Sequence, residues 1–276
     1  MIHLGEYNTL EILRDTEPGL FLGDADGNEV LLPNRYVPIT FNIGEKIDVF
    51  VYLDNEERPV ATTDKPYIKK GDFALLRCNQ VTNFGAFLDW GLVKQLFCPF
   101  KEQAFKMKAG GWYLVYCYLD DETERLVASS KTNHFLDNKE LTVAQFDTVD
   151  LIVSHPSVLG MNVIVNKTHT GLVFKDDIYK DISIGDRLKG TVKKVRPDNK
   201  LDILLTQIGY RNIEPNAEHI LFELQDNGGF LPLNDKSKPE TIKEVLQMSK
   251  KNFKKAIGSL YKDRQIEIKD DGIYLK

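Results

Sequence analysis

Residues 44–63, GEKIDVFVYLDNEERPVATT, return in altered form at 110–130, GGWYLVYCYLDDETERLVASS, and at 185–205, GDRLKGTVKKVRPDNKLDILL. Each copy opens on glycine, runs through a β-rich strand, turns through charged residues that include Asp or Asn, and returns in a short apolar strand. The copies start 66 and 75 residues apart (44, 110, 185). Each unit therefore has room for about five strands of ordinary length. So few strands cannot build an extensive sandwich, but they can close into a small barrel with no free edges. Repetition of this kind predicts three such barrels in a row.

The segments ahead of the hairpins fit that plan. They read GLFLGDADGNEVLLPNRYVP at 19–38, with a tight turn expected at Asp26-Gly27, FGAFLDWGLVKQLFCPFKEQ at 84–103, and MNVIVNKTHTGLVFKDDIYK at 161–180. The expected units are residues 1–64, 68–133 and 143–208, with Pro66 as a breaker between the first two. From 209 to 276 the pattern changes. Ile220, Leu221 and Leu224 share one side of a helix that stops at Gly228-Gly229, and FLPL at 230–233 is a short extended piece. Pro239 suits the first turn of a second helix carrying Ile242, Val245 and Leu246. Ser249 is a good N-cap for a third, with Phe253, Ile257, Leu260 and Tyr261 on one face and Lys250, Lys251, Lys254 and Lys255 on another. A hairpin turning at Asp271-Gly272 closes the chain. Helix, strand, helix, helix and hairpin is the order of a winged helix. The predicted fold class is therefore multidomain and mainly β: three five-stranded OB-type barrels, then an α/β winged helix domain.

The net charge of −5 over 276 residues conceals an asymmetry. Residues 236–276 hold eleven Lys or Arg and six Asp or Glu, or +5, so residues 1–235 carry 25 minus 35, or −10. A polyanion meets attraction mainly at the C-terminal end. Three separated cysteines, Cys78, Cys98 and Cys117, lack CxxC spacing and point to buried thiols in a reducing compartment. No apolar run approaches membrane-spanning length, so the expectation is a cytoplasmic protein with no membrane partner. Catalysis has no support. The five histidines are scattered, DADGNE at 24–29 lacks EF-hand spacing, and no phosphate loop or nucleophile elbow is present. No catalytic residue, metal or cofactor is expected.

The stretch VTNFGAFLDWGLVKQLFCP at 81–99 resembles the S1 RNA-binding domain. Three such units followed by a winged helix are similar to the bacterial conserved virulence regulatory protein B family, over nearly the whole chain. That resemblance implies a nucleic-acid face holding Phe84 and Phe87. The histidine common in S1 domains near the next strand corresponds here to Cys98, so its stacking or polar contribution is absent; Phe97 or Phe100 is the candidate replacement. Units one and three lack FGAF. Exposed rings stack on bases whatever their sequence, whereas buried rings fill a barrel core. Strict alternation puts positions 84 and 87 on opposite faces, and a bulge near Gly85 brings both outward.

Arg77, Lys94, Lys101, Lys106 and Lys108 surround the motif and are candidate phosphate contacts. Lys167, His169, Lys175, Lys193, Lys194 and Arg196 are candidates for an extended path in unit three, opposed locally by Asp176, Asp177, Asp181 and Asp186. Lys250, Lys251, Lys254 and Lys255 offer backbone attraction more than base reading. Together these residues suggest a non-catalytic regulator that binds single-stranded RNA. Two other readings stand beside it: a protein-interaction scaffold of degenerate S1-like domains, and a DNA-binding transcriptional regulator led by the winged helix.

Overall fold

The computed structural model of the chain describes residues 1–178, 181–205, 215–262 and 264–276. It divides into two compact units, Met1–Phe135 and Leu136–Lys276. The first unit contains two closed barrels. In barrel 1, β1 (Tyr7–Thr16), β2 (Gly19–Gly23), β3 (Glu29–Pro33), β4 (Lys46–Leu53) and β5 (Pro59–Thr62) close in the order β1-β2-β3-β5-β4. In barrel 2, β6 (Phe73–Val81), β7 (Gly85–Asp89), β8 (Leu96–Pro99), β9 (Trp112–Leu119) and β10 (Leu126–Ser129) close in the order β6-β7-β8-β10-β9. Barrel 3, in the second unit, repeats the scheme with β11 (Thr148–Pro156), β12 (Gly160–Val165), β13 (His169–Phe174), β14 (Arg187–Val195) and β15 (Leu201–Leu204). Within each barrel the third and fifth strands pair in parallel, and the other pairs are antiparallel. The three repeated hairpins are β4–β5, β9–β10 and β14–β15.

The opening glycine of each hairpin has a backbone reason. Gly44, Gly110 and Gly185 all sit at positive φ (87°, 84° and 92°). Each donates its N–H to an equivalent carbonyl, of Ile12, Cys78 and Val153, at 2.7–2.8 Å. A side chain would strain that left-handed turn, and the turn sends the fourth strand back onto the first.

A second glycine set repeats at the same offsets: Gly19, Gly85 and Gly160 open the second strand of each barrel. A Cβ there would lie 2.1, 2.4 and 2.0 Å from the carbonyl oxygens of Leu32, Cys98 and Val173. The neighbouring strand backbone leaves room only for a hydrogen. Gly160→Ala should therefore destabilise the protein by about 1–3 kcal/mol, the usual cost of overpacking. Urea unfolding followed by circular dichroism checks this, and an unchanged midpoint would contradict it.

The barrels are small, and small domains bury too little surface to be robust alone. Barrels 1 and 2 meet this by sharing apolar surface. Phe50, Tyr52 and Val60 of barrel 1 belong to the same buried cluster as Leu76, Leu88 and Leu96 of barrel 2. Trp90, 2% exposed, sits at the junction, edge-on to Phe50 at 5.8 Å and to Tyr52 at 6.1 Å. Its indole N–H donates to the Lys94 carbonyl, so its one polar atom is satisfied. Cys78, Cys98 and Cys117 are all buried in barrel 2. Burial pushes the Cys98 and Cys117 thiols up to about 12, which leaves them protonated and inert.

The last part of the second unit holds α1 (Pro215–Asp226), β16 (Phe230–Leu231), α2 (Pro239–Leu246), α3 (Lys250–Lys262), β17 (Ile266–Ile268) and β18 (Ile273–Leu275), with sheet order β16-β18-β17. Gly228 and Gly229 do end α1: both have positive φ, and Gly229 N–H caps the Leu224 carbonyl at 2.6 Å. Ser249 Oγ accepts from Asn252 N–H at 3.2 Å, the expected N-cap of α3. Ile220, Leu224, Ile242, Leu246, Phe253, Ile257 and Leu260 form the core. Val245 and Tyr261, expected on the apolar stripes, are exposed instead.

Candidate nucleic-acid interface

The strand register of barrel 2 lines up side chains that the sequence scatters. Gln80 on β6 faces Phe87 on β7, Phe87 faces Phe97 on β8, Phe97 faces Val127 on β10, and Val127 faces Tyr118 on β9. Directly opposed residues have Cβ atoms about 4.5–5.5 Å apart. The result is one continuous row across the sheet, with three aromatic members. Phe87 and Phe97 are half-buried, their ring centroids 5.1 Å apart.

Phe84 completes the platform from outside the strands. It lies in the loop before β7, so the alternation rule does not govern it, and it is 78% exposed. The bulge that helps is in β6, between Cys78 and Gln80, and not at Gly85. Beyond it, Gln80 pairs with Phe87.

These residues line an open groove of about 890 Å³. Its other wall comes from barrel 1, through Tyr52, Leu53, Asn55 and Glu57. The β4–β5 turn that carries Asn55 and Glu57 is pinned from barrel 2. Lys94 donates from Nζ to the Asp54 carbonyl at 2.6 Å, and Arg125 forms an ion pair with Glu57. Burial holds the Lys94 ammonium below its ordinary range. The Arg125 hydrogen bond holds the Glu57 carboxyl below its own.

Of the candidate phosphate contacts, Lys94 and Lys101 line the groove, and Lys101 is exposed. Arg77, Lys106 and Lys108 are exposed but outside the lining. Arg77 lies between Asp89 and Trp112 in the register. Sequence reasoning passes over Tyr118, Arg125 and the barrel 1 wall. Tyr118 and Arg125 belong to the hairpin copy at 110–130, and that repeat is the signal that could mark them.

The same row in the other barrels is not an open aromatic platform. In barrel 1 it runs Arg14, Phe21, Leu31, Val60, Tyr52. Arg14 covers the Phe21 ring at 4.2 Å, held by two hydrogen bonds to Glu29. In barrel 3 the corresponding pairs are Asn162–Leu172, Leu172–Asp202 and Asp202–Lys194.

His169 does not belong to an exposed path. It is fully buried; Nε2 accepts from the Thr142 N–H at 3.1 Å, so Nδ1 carries the proton donated to the Asp137 carbonyl at 2.5 Å. Its position inside β13 faces the core, so this side chain packs and cannot reach RNA. Lys193 and Arg196 are paired with Asp177 (2.7 Å) and Asp202 (2.8 Å). Lys175 and Lys194 are exposed, and so is Lys167. On α3, Lys251, Lys254 and Lys255 are exposed and Lys250 is half-buried.

Residues 218–275 match the CvfB-like winged helix domain, and residues 4–64 match the S1 domain. The C-terminal domain is thus of the CvfB-like kind, and the chain as a whole is similar to conserved virulence factor B proteins. The S1 match falls on barrel 1, which lacks FGAF but shares the glycines and the hairpin of barrel 2. Among CvfB-like relatives, conserved virulence factor B of Staphylococcus saprophyticus is 27% identical, over 99% of this chain and 94% of the relative. Uncharacterized protein YitL of Bacillus subtilis is 26% identical, over 99% and 93%. A solved Streptococcus pneumoniae structure, described as a multidomain protein with nucleic acid binding domains, is 24% identical over 99% and 98%, with a TM-score of 0.42. S1 and winged-helix modules of this CvfB-like kind are non-catalytic and point to nucleic-acid binding. Among the described residues no helix is long and apolar enough to cross a membrane, and no His, Cys, Asp or Glu cluster is arranged to hold a metal ion.

Proposed function

We propose that this protein is a cytoplasmic, non-catalytic regulator of gene expression that binds single-stranded RNA. The observation carrying this reading is the groove of barrel 2, where Phe84, Phe87, Phe97 and Tyr118 lie together beside Lys94, Lys101 and Arg125. Rings hold unpaired bases by their π-faces while cations meet phosphates, a division of labour that suits single strands and not duplexes. Exposed lysines of α3 add weak contacts on the same chain, which raises effective concentration.

Equilibrium binding of the intact protein to labelled single-stranded RNA, single-stranded DNA and duplex DNA, over a salt series, tests the proposal. Single-stranded RNA should bind best. No binding to it at low salt sinks the reading, and selective duplex binding would favour a transcription factor. Replacing Lys250, Lys251, Lys254 and Lys255 with glutamine should flatten the salt dependence by roughly 0.7 in log–log slope for each phosphate that is no longer neutralised. An unchanged slope would remove α3 from the RNA-binding surface.

A protein partner is the second reading. It is favoured by Val158 and Leu159, 88% and 57% exposed at the barrel 3 loop that corresponds to the Phe84 loop. Adjacent exposed apolar residues of this kind suit a protein contact better than a phosphate chain. RNA binding unaffected by Leu159→Asp, with loss of a co-purifying protein, would support it.

A further inference from the structure

We propose that Glu57 of barrel 1 is a built-in competitor for RNA: on Arg125 its carboxylate takes the place that a phosphate of the bound strand fills, so the groove is self-inhibited until a strand displaces it. The proposal rests on the single-strand reading above and adds regulation of the same site. The repeated hairpins supply the comparison that carries it. Each turns through one left-handed residue, Glu57, Glu124 or Asn199, at φ of 65°, 54° and 59°. The next residue is a cation in all three: Arg58, Arg125 and Lys200. Arg58 pairs with Asp54 of its own turn at 2.8 Å, and Lys200 with Asp198 of its own at 2.7 Å. Arg125 instead forms its ion pair with Glu57, from the turn of the neighbouring barrel. Asp120, the counterpart of Asp54, accepts from the N–H and hydroxyl of Thr123 at 3.1 and 2.7 Å. The hairpin cation of barrel 2 thus takes its anion from outside its own turn, and it lines the groove.

The competitor is held in position without the ion pair. Within its turn the Asp54 carboxylate accepts from the Glu56 and Arg58 N–H groups at 2.8 and 3.0 Å, and the Glu57 N–H donates to the Asp54 carbonyl at 3.1 Å. Lys94 donates to the same carbonyl from barrel 2 at 2.6 Å. Loss of the Glu57 charge therefore leaves the groove wall standing. The ion pair itself opens at little cost. Both side chains are half exposed, 50% and 52%, and pairs at such exposure add little to stability. A phosphate offers the guanidinium the same two acceptor oxygens as a carboxylate. A lone phosphate gains little by that exchange, whereas a strand also stacks its bases on Phe84 and Phe87. Displacement of Glu57 thus favours anions that carry bases.

The test uses the full chain, a labelled all-uridine RNA decamer, and the variants Glu57→Gln, Arg125→Gln and the two together, over a salt series with folding checked by thermal melting. Glu57→Gln should bind about threefold to fivefold more tightly than wild type at low salt, the upper end of what an exposed ion pair contributes. Its log–log salt slope should steepen by roughly 0.7, the share of one more neutralised phosphate. Relative to Arg125→Gln alone, the double variant should show no steepening and a smaller gain, because the cation that meets the phosphate is gone. Equal gain and equal steepening with and without Arg125 overturn the proposal, since they report only one repulsive charge removed. Unchanged or weaker binding by folded Glu57→Gln also overturns it, the ion pair then being a brace between barrels. If Phe84→Ala/Phe87→Ala still abolishes binding in that case, the stacking reading stands. No binding of the decamer by wild type or by Glu57→Gln overturns both.

Discussion

Replacing Phe84 and Phe87 together with alanine should weaken single-stranded RNA binding by about 2–4 kcal/mol, roughly 30- to 800-fold. Stacking contributes about 1–3 kcal/mol per base by alanine substitution, and two neighbouring rings in one groove do not act independently, so the sum falls short of the maximum. The two sites differ in structural risk. Phe84 is an exposed loop ring whose removal leaves no cavity. Phe87 is half-buried against Phe97 at 5.1 Å, so its removal also loosens the platform. Phe84→Ala alone is therefore the cleaner probe of stacking, with an expected loss near tenfold. Fluorescence anisotropy at fixed salt measures both, with circular dichroism to confirm the fold. Wild-type affinity in a folded double mutant would exclude the platform.

Trp90→Ala should cost about 3–5 kcal/mol of stability, the range for deleting a large buried aromatic. Trp90, carried by barrel 2, packs edge-on against Phe50 and Tyr52 of barrel 1, and its indole N–H donates to the Lys94 carbonyl. Its removal leaves a cavity at the barrel 1–barrel 2 junction and frees the segment that sets the groove's second wall. Stability and RNA affinity should fall together. Differential scanning calorimetry of the full chain should show the first unit melting earlier, with its transition broadened or split as the barrels uncouple. A loss below about 1 kcal/mol would mean that the junction relaxes around the missing ring.

Much of this molecule is legible in its sequence because the signals are local. Glycine at the start of each hairpin, charged turns and β-rich strands are short-range chemistry, and their repetition multiplies the signal. The winged helix is legible in the same way, from Pro239, Ser249 and the Gly228-Gly229 stop. Phe84 and Phe87 stand out as aromatics flanking a glycine whose missing side chain the neighbouring strand requires.

The site itself is only half readable. Its row of Gln80, Phe87, Phe97 and Tyr118 depends on which residues face each other across four strand pairings, and one bulge in β6 sets the register. Composition cannot show that His169 turns inward to bridge Thr142 and Asp137, or that Arg14 covers Phe21. Sequence proximity suggests Arg77, Lys106 and Lys108 for the groove; folding supplies Arg125 instead, held by Glu57 of another barrel. Three barrels, a winged helix and a pair of aromatic rings follow directly from the order of residues, because turns and periodicity act over a few positions. Which barrel keeps an open platform, and what forms its far wall, emerges only on folding, because both depend on pairing and packing between residues distant along the chain.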